Sequence, residues 1–217
     1  MLVPDDELYQ PLFSPWLVPG EFQELYRRVE PWSLVGPDRC QILYALAKQA
    51  FHLRGEFWEC GVYKGGTAMM LAEILSEQNR RRLRLFDTFA GMPETMSGQD
   101  HHLPGDFADT SLESVRRRVG HERIVEFHKG FIPDTFAGLE SASICFAHVD
   151  VDIYQSVLDC CEFIFPRLVR GGFLLFDDYG FPSCPGARAA VDGFFEGTYL
   201  QPIVLPTGQA VVFKSFI

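Results

Sequence analysis

The sequence predicts an α/β fold built on a mostly parallel sheet that ends in an antiparallel hairpin. Short β-type runs recur with helix-length segments between them, the pattern of crossover units feeding a parallel sheet. A glycine-bearing run leaves the first of these strands and enters a helix. The tail, PIVLPTGQAVVFKSF, instead reads as two strands joined by a Pro-Thr-Gly turn.

In chain order, a helix is expected over Pro37 to Leu53 and a strand over Glu56 to Gly61 (EFWECG). TAMMLAEILSEQ follows with helical apolar spacing, then a strand over Leu83 to Asp87 (LRLFD). A helix over Leu112 to Val119 precedes strands at Arg123 to His128 and Ile144 to Asp150. Tyr154 to Leu168 again has helical spacing, and Arg170-Gly171-Gly172 is expected to stop it before a strand over Gly172 to Asp177. Two segments remain without a regular pattern. Residues 1–36 carry Tyr9, Phe13, Trp16, Phe22, Tyr26 and Trp32 among prolines, and 91–110 is long, polar and rich in Gly and Pro. Long loops in compact domains are usually functional or disordered, so both are natural lids. The expected organisation is an accessory lid at 1–36 and one domain over 37–217.

With 217 residues, 47% hydrophobic and 22% charged, the chain has the composition of an ordinary globular protein. No apolar run approaches the roughly 18 residues of a membrane span. The start, MLVPDDELYQ, is acidic and broken by proline, unlike a secretory or transit signal. A soluble, cytoplasmic protein is expected. A formal net charge of −10 argues against a nucleic-acid or anionic-membrane partner. The one basic run, Arg80, Arg81, Arg82 and Arg84, reads most simply as a solvated helix end and the edge of the next strand. Cys40, Cys60, Cys145, Cys160, Cys161 and Cys184 sit in apolar surroundings that suit buried, reduced thiols. Their spacing offers no CxxC pair and argues against a zinc site.

The run Glu59-Cys60-Gly61-Val62-Tyr63-Lys64-Gly65-Gly66-Thr67 places glycines where backbone N–H groups could approach a ligand at a helix N-terminus. It matches neither GxGxxG nor GxxxxGK[ST], and its glycines could merely turn a strand into a helix. Asp87, 28 residues after Glu59 at the end of the second strand, could accept from both ribose hydroxyls of a nucleotide-like ligand. Glu59 would then accept from that ligand's ammonium group. The plainer role for Asp87 is to cap the turn DTFAGMP.

Asp150, Asp177 and Asp178 are the strongest chemical signal. Right-handed crossover geometry brings the ends of their two strands to the same sheet edge. Three carboxylates there repel one another unless a cation lies between them, and hard oxygen ligands suit Mg²⁺ better than zinc. Such an ion would lower the pKa of a hydroxyl bound to it. The bland alternatives are caps: Asp152 for the helix that follows it, Asp178 for the loop YGFPSCPGARAAV. His101, His102 and His148 are candidates for a base or a substrate contact, with a surface or core histidine the plainer reading of each.

With these residues placed, the sequence resembles the macrocin O-methyltransferase (TylF/MycF-like) family over roughly residues 32–196. ECGVYKGGT, LFDTFAGMPE, GDFADTSLESVRRRVG with VEFHKGFIPDTF, and HVDVDIYQSVLDCCEFIFPRLVRGGFLLFDDYG with GARAAVDGFF carry the likeness. The resemblance implies a class I S-adenosylmethionine (SAM) methyltransferase, Rossmann-like, with a seven-stranded sheet and helices on both faces. It implies that Glu59, Gly61, Gly65, Gly66, Thr67, Asp87 and Phe89 line the SAM site, with Gly130 and Phe131 near the adenine. Phe131 stands where the family pattern has tryptophan, keeping a stacking face without the donor. The family's Mg²⁺ ligands fall on Asp150, Asp177 and Asp178, with Asp150 also the proton acceptor. The implied partner is a small molecule with a free hydroxyl, a sugar of a glycosylated natural product above all, and the implied assembly a homo-oligomer such as a dimer. Open rivals are a phenol or catechol acceptor, and a catalytically silent protein that keeps the fold. A haloacid dehalogenase-type phosphatase would also use DxD after a strand, but only 65 residues follow Asp152 and they lack its Thr and Lys motifs.

Overall fold

The computed structural model describes residues 14–76, 81–96 and 98–215. Tyr9, Phe13 and Arg80 lie outside the described residues. Two helices open the described chain, α1 (Glu21–Val29) and α2 (Pro37–Ala50), and β1 (Glu56–Cys60), α3 (Gly66–Ser76) and β2 (Leu83–Asp87) follow. Next come α4 (Leu112–Val119), β3 (Val125–Lys129), β4 (Ile144–Val149), α5 (Tyr154–Arg167) and β5 (Leu168–Phe176). The last elements are α6 (Pro185–Phe195), β6 (Ile203–Val204) and β7 (Ala210–Phe213). Among the described residues no helix is long and apolar enough to cross a membrane.

The sheet runs β3-β2-β1-β4-β5-β7-β6, with the first five strands parallel and β7 antiparallel to both β5 and β6. The expected seven-stranded, hairpin-ended sheet is therefore present. The hairpin turns at Leu205, whose carbonyl accepts from Gly208 N–H at 3.0 Å, with Gly208 in the left-handed region at φ 87.

Strand alternation divides the core between two faces. Phe57, Phe146, Phe173 and Leu175 pack under α1–α4, while Trp58, Phe86, Ala147, Leu174 and Phe176 pack under α5 and α6. α1 belongs fully to the first layer: Phe22, Tyr26 and Val29 are buried in the same core as Tyr44 and Leu43 of α2. The packing thus continues without a break across the boundary expected at residue 36.

Several sequence expectations shift. Arg170-Gly171-Gly172 does not separate α5 from its strand but lies inside β5. Leu168 pairs with Ile144 and Phe173 with Phe146, so the residues between them bulge out. Gly171 and Gly172 then bond the backbone of Lys214 at 2.7 and 3.0 Å. Arg84 is not a solvated edge residue. It is buried on β2, bonded to Glu56 of β1 at 2.7 Å and to Glu126 of β3, so it ties three strands together. All six cysteines are buried free thiols, as expected.

Candidate active site

Strand order reverses between β1 and β4, and at such a switch point a crevice opens beyond the carboxyl ends of the strands. A cavity of about 290 Å³ lies there, near the lower end of the range for small-molecule pockets. Its floor is Gly61, Asp87 and Asp150 at the ends of β1, β2 and β4. Trp32–Val35 of the N-terminal segment, with Met92, His102 and Phe107 of the 91–110 loop, form part of its walls.

The glycine loop is shaped first by its own protein. A Cβ on Gly61 would lie 1.7 Å from the Asp150 carbonyl oxygen, so the ends of β1 and β4 can meet only at glycine. A Cβ on Gly66 would meet Ser33 and Trp32 at 2.7–2.8 Å, and one on Gly65 would meet Val115 of α4 at 2.8 Å. Gly61, Gly66, Thr67, Gly130 and Phe131 line the cavity, whereas Glu59, Gly65, Phe89 and Asp177 do not. Asp87 lines it too, but its carboxylate already accepts from Val62 N–H at 2.7 Å, Tyr63 N–H at 2.9 Å and Phe89 N–H at 2.6 Å. It staples the glycine loop to the end of β2 as well as capping its own turn.

On the α1–α4 face the apolar ladder of Phe57, Phe146 and Leu175 turns polar one step further along, at Glu59, His148 and Asp177. These three are fully buried and form a chain. His148 Nδ1 lies 3.0 Å from Glu59 Oε1, and its Nε2 lies 3.4 Å from Asp177 Oδ1. Gln209 donates to Asp177 Oδ1 at 2.7 Å, and Arg39 of α2 forms an ion pair with Oδ2. Among the described residues Glu59 Oε2 is buried with no hydrogen-bond partner, and a buried unpaired oxygen is costly enough to call for a donor.

Burial opposes ionisation of Asp177, but the hydrogen bond from His148, then the charges of His148 and Arg39, outweigh it and hold its carboxyl below the usual range. His148 is pulled the opposite way, its burial overcome by bonds to Asp177 and Glu59 that raise it well above an ordinary imidazole. Burial, reinforced by the Asp177 charge, pushes Asp150 well up. Burial and then the charges of Asp150 and Asp152 do the same to Asp178. The acid edge is thus electrostatically under-compensated, with Arg39 and His148 facing Asp150, Asp177 and Asp178.

Of the three acids expected to converge, Asp150 and Asp177 do: with His148 their ligating atoms all lie within 4.8 Å of one another. Asp178 falls outside that group; it lines the cavity together with Asp150, and its carboxylate accepts Asp152 N–H at 3.2 Å. Asp152 does not cap α5. The N-cap is Ile153, without a side-chain bond, and Tyr154 N–H is taken by Asp100 Oδ1 of the 91–110 loop at 2.8 Å. His148 proves a core histidine that also borders the site, and His102 lines the cavity; His101 does neither. Sequence reading missed Arg39. Its one signal is a cation in the first turn of a helix, where the dipole disfavours it and a compensating anion is called for.

This strand order, with a glycine loop after the first strand and acids after the fourth and fifth, defines a class I methyltransferase fold. Solved structures share it. The O-methyltransferase NovP superposes with a TM-score of 0.75 at 21% identity, over 85% of this chain and 82% of that one. The calicheamicin methyltransferase CalS11 gives 0.71 at 20%, over 88% and 91%. The chain belongs to the macrocin-O-methyltransferase (TylF) family, whose profile matches residues 29–213. Among curated relatives, the 8-demethyl-8-(2,3-dimethoxy-alpha-L-rhamnosyl)-tetracenomycin-C 4'-O-methyltransferase of Streptomyces olivaceus is 30% identical over 61% of this chain and 56% of its own. The mycinamicin III 3''-O-methyltransferase of Micromonospora griseorubida is 26% identical over 70% and 66%. The chain spans between 56% and 66% of the length of the curated relatives it matches.

Proposed function

We propose that the protein is a SAM-dependent O-methyltransferase, assisted by Mg²⁺, whose acceptor is a sugar hydroxyl of a glycosylated natural product. One observation carries this reading: a single cavity is lined both by the glycine loop and Asp87 and by Asp150 and Asp178. The named activities of the Streptomyces and Micromonospora relatives, both O-methylations of glycosylated natural products, support the acceptor class.

The residues fit both groups. SAM brings an electrophilic methyl group and an ammonium, and the orphaned Glu59 Oε2 is the kind of buried acceptor that ammonium requires. Asp87, with three of its roughly four acceptor sites taken by backbone N–H groups, keeps one for a ribose hydroxyl beside Gly61, Gly66 and Thr67, and Phe131, 57% exposed at the rim, offers a face for an adenine. Mg²⁺ would be held by the oxygens of Asp150 and Asp177, which converge, with Asp178 on the same cavity as a further oxygen donor, and would supply Lewis acidity at the acceptor hydroxyl. Asp150, open to the cavity, takes the hydroxyl proton on its carboxylate. Arg39, His148 and Gln209 hold Asp177 in place, and Trp32–Val35 with the 91–110 loop exclude water, so that alignment in a dry site supplies most of the rate.

The test is methyl transfer from labelled SAM to a panel of desmethyl glycosides and catechols, with Mg²⁺ present and after chelation. Transfer to the glycosides that chelation abolishes, and that Asp150→Asn and Asp177→Asn each lower by at least about 100-fold, is the expected result. Undiminished transfer in metal-free buffer would sink the metal role, and transfer to catechols alone would sink the sugar acceptor.

A further inference from the structure

Three side chains that the proposed chemistry leaves unused meet at the cavity wall. They are His102 of the 91–110 loop, Asp152 between β4 and α5, and Cys184 immediately before α6. His102 Nε2 lies 3.6 Å from Asp152 Oδ1 and 3.6 Å from Cys184 Sγ, and Sγ lies 3.5 Å from Asp152 Oδ1. Zinc binds sulfur at about 2.3 Å and nitrogen or oxygen at about 2.0–2.2 Å in a tetrahedron, which sets the edges between its ligands at about 3.3–3.6 Å. The three separations are those of one tetrahedral face. The far nitrogen of His102, Nδ1, lies 3.3 Å from Asp106 Oδ2, the carboxylate that a metal-bound imidazole ordinarily has behind it.

We propose that His102, Asp152 and Cys184 form a second metal site, selective for a zinc-class divalent transition metal, with its fourth position open to the cavity. It shares no ligand with Asp150, Asp177 and Asp178. The thiolate makes it a poor home for Mg²⁺, while one thiolate and one carboxylate balance a divalent charge. An ion there ties the 91–110 loop to the starts of α5 and α6 at the wall of the cavity. The cysteine spacing gave no sign of it, since the ligands stand 50 and 32 residues apart on three separate connections.

The full chain, stripped of metal under reducing conditions and then supplied with excess Mg²⁺, is titrated with Co²⁺. The expected result is one equivalent bound, with a thiolate-to-cobalt charge-transfer band and strong tetrahedral visible absorption that Zn²⁺ then abolishes. Cys184→Ser removes the charge-transfer band. His102→Ala weakens Co²⁺ binding by about 100-fold or more, and Asp106→Asn, one step removed, by about 10–100-fold. No charge-transfer band, or a band that His102→Ala forms at unchanged Co²⁺ affinity, overturns the site and leaves the cluster as a neutral thiol hydrogen-bonded to its neighbours. Because His102 sits on an open loop, that variant decides the matter even if Cys184→Ser fails to fold. The readout is optical, so failure here is distinct from failure of the methyl-transfer reading.

Discussion

Replacing Gly61 by alanine tests the physical link between the glycine loop and the acid edge. The added Cβ would lie 1.7 Å from the Asp150 carbonyl oxygen and 2.6 Å from its carbon. Ordinary non-bonded contact needs about 3 Å or more, so β1 and β4 must part by upwards of about 1 Å at their carboxyl ends. That movement breaks the Asp150 N–H to Cys60 carbonyl bond of 2.8 Å, worth about 1 kcal/mol. Holding alanine at the φ of 84 found here adds about 1–2 kcal/mol, and the residual overlap adds about 1–3 kcal/mol. A loss of about 3–6 kcal/mol lowers the melting temperature of a domain this size by about 6–24 °C. Shifting Asp150 by about 1 Å costs about 100-fold in transfer rate even where the protein stays folded. Circular-dichroism melts and methyl transfer, assayed well below both transitions, measure the two effects separately. A Gly61→Ala protein that melts within about 2 °C of the parent and turns over normally would refute the reasoning.

Gly193→Ala is the control: it sits within α6 with nothing among the described residues inside 4 Å of a new Cβ, so stabilisation by about 0.5–1 kcal/mol is expected in the same melts. Glu59→Gln should weaken SAM binding by about 10–100-fold in calorimetry by removing the buried charge, and unchanged affinity would dismiss Glu59 as an ammonium acceptor. Glu56→Gln should cost about 1–3 kcal/mol at neutral pH, since it breaks one arm of the buried Arg84 network. Burial works against Glu56 ionisation, but bonds from Arg84 and Trp58 prevail and hold its carboxyl below the ordinary value of 4.5. That stabilisation is therefore complete above about pH 4.5 and fades as pH falls through the lowered folded value. Denaturant melts of the two proteins should converge on acidification, and a gap constant from pH 7 to pH 3 would contradict the assignment.

The sequence by itself determined the strands, their order of appearance and the hairpin, because short apolar runs and glycine turns report on local geometry. It also determined that Glu59, Asp87, Asp150, Asp177 and Asp178 end strands, and strand ends are where a parallel sheet gathers its chemistry. Tertiary structure decided what those ends touch. Asp178 stays out of the Asp150–Asp177 group, its carboxylate taken up by the Asp152 N–H, and α5 is capped by Asp100 from 54 residues away rather than by Asp152 next door. Arg84 reads as surface in a basic run yet lies buried between two glutamates of neighbouring strands. Arg39 reaches Asp177 across 138 residues. Each is a pairing between distant segments whose partner is fixed only when the sheet assembles, and no local spacing encodes it.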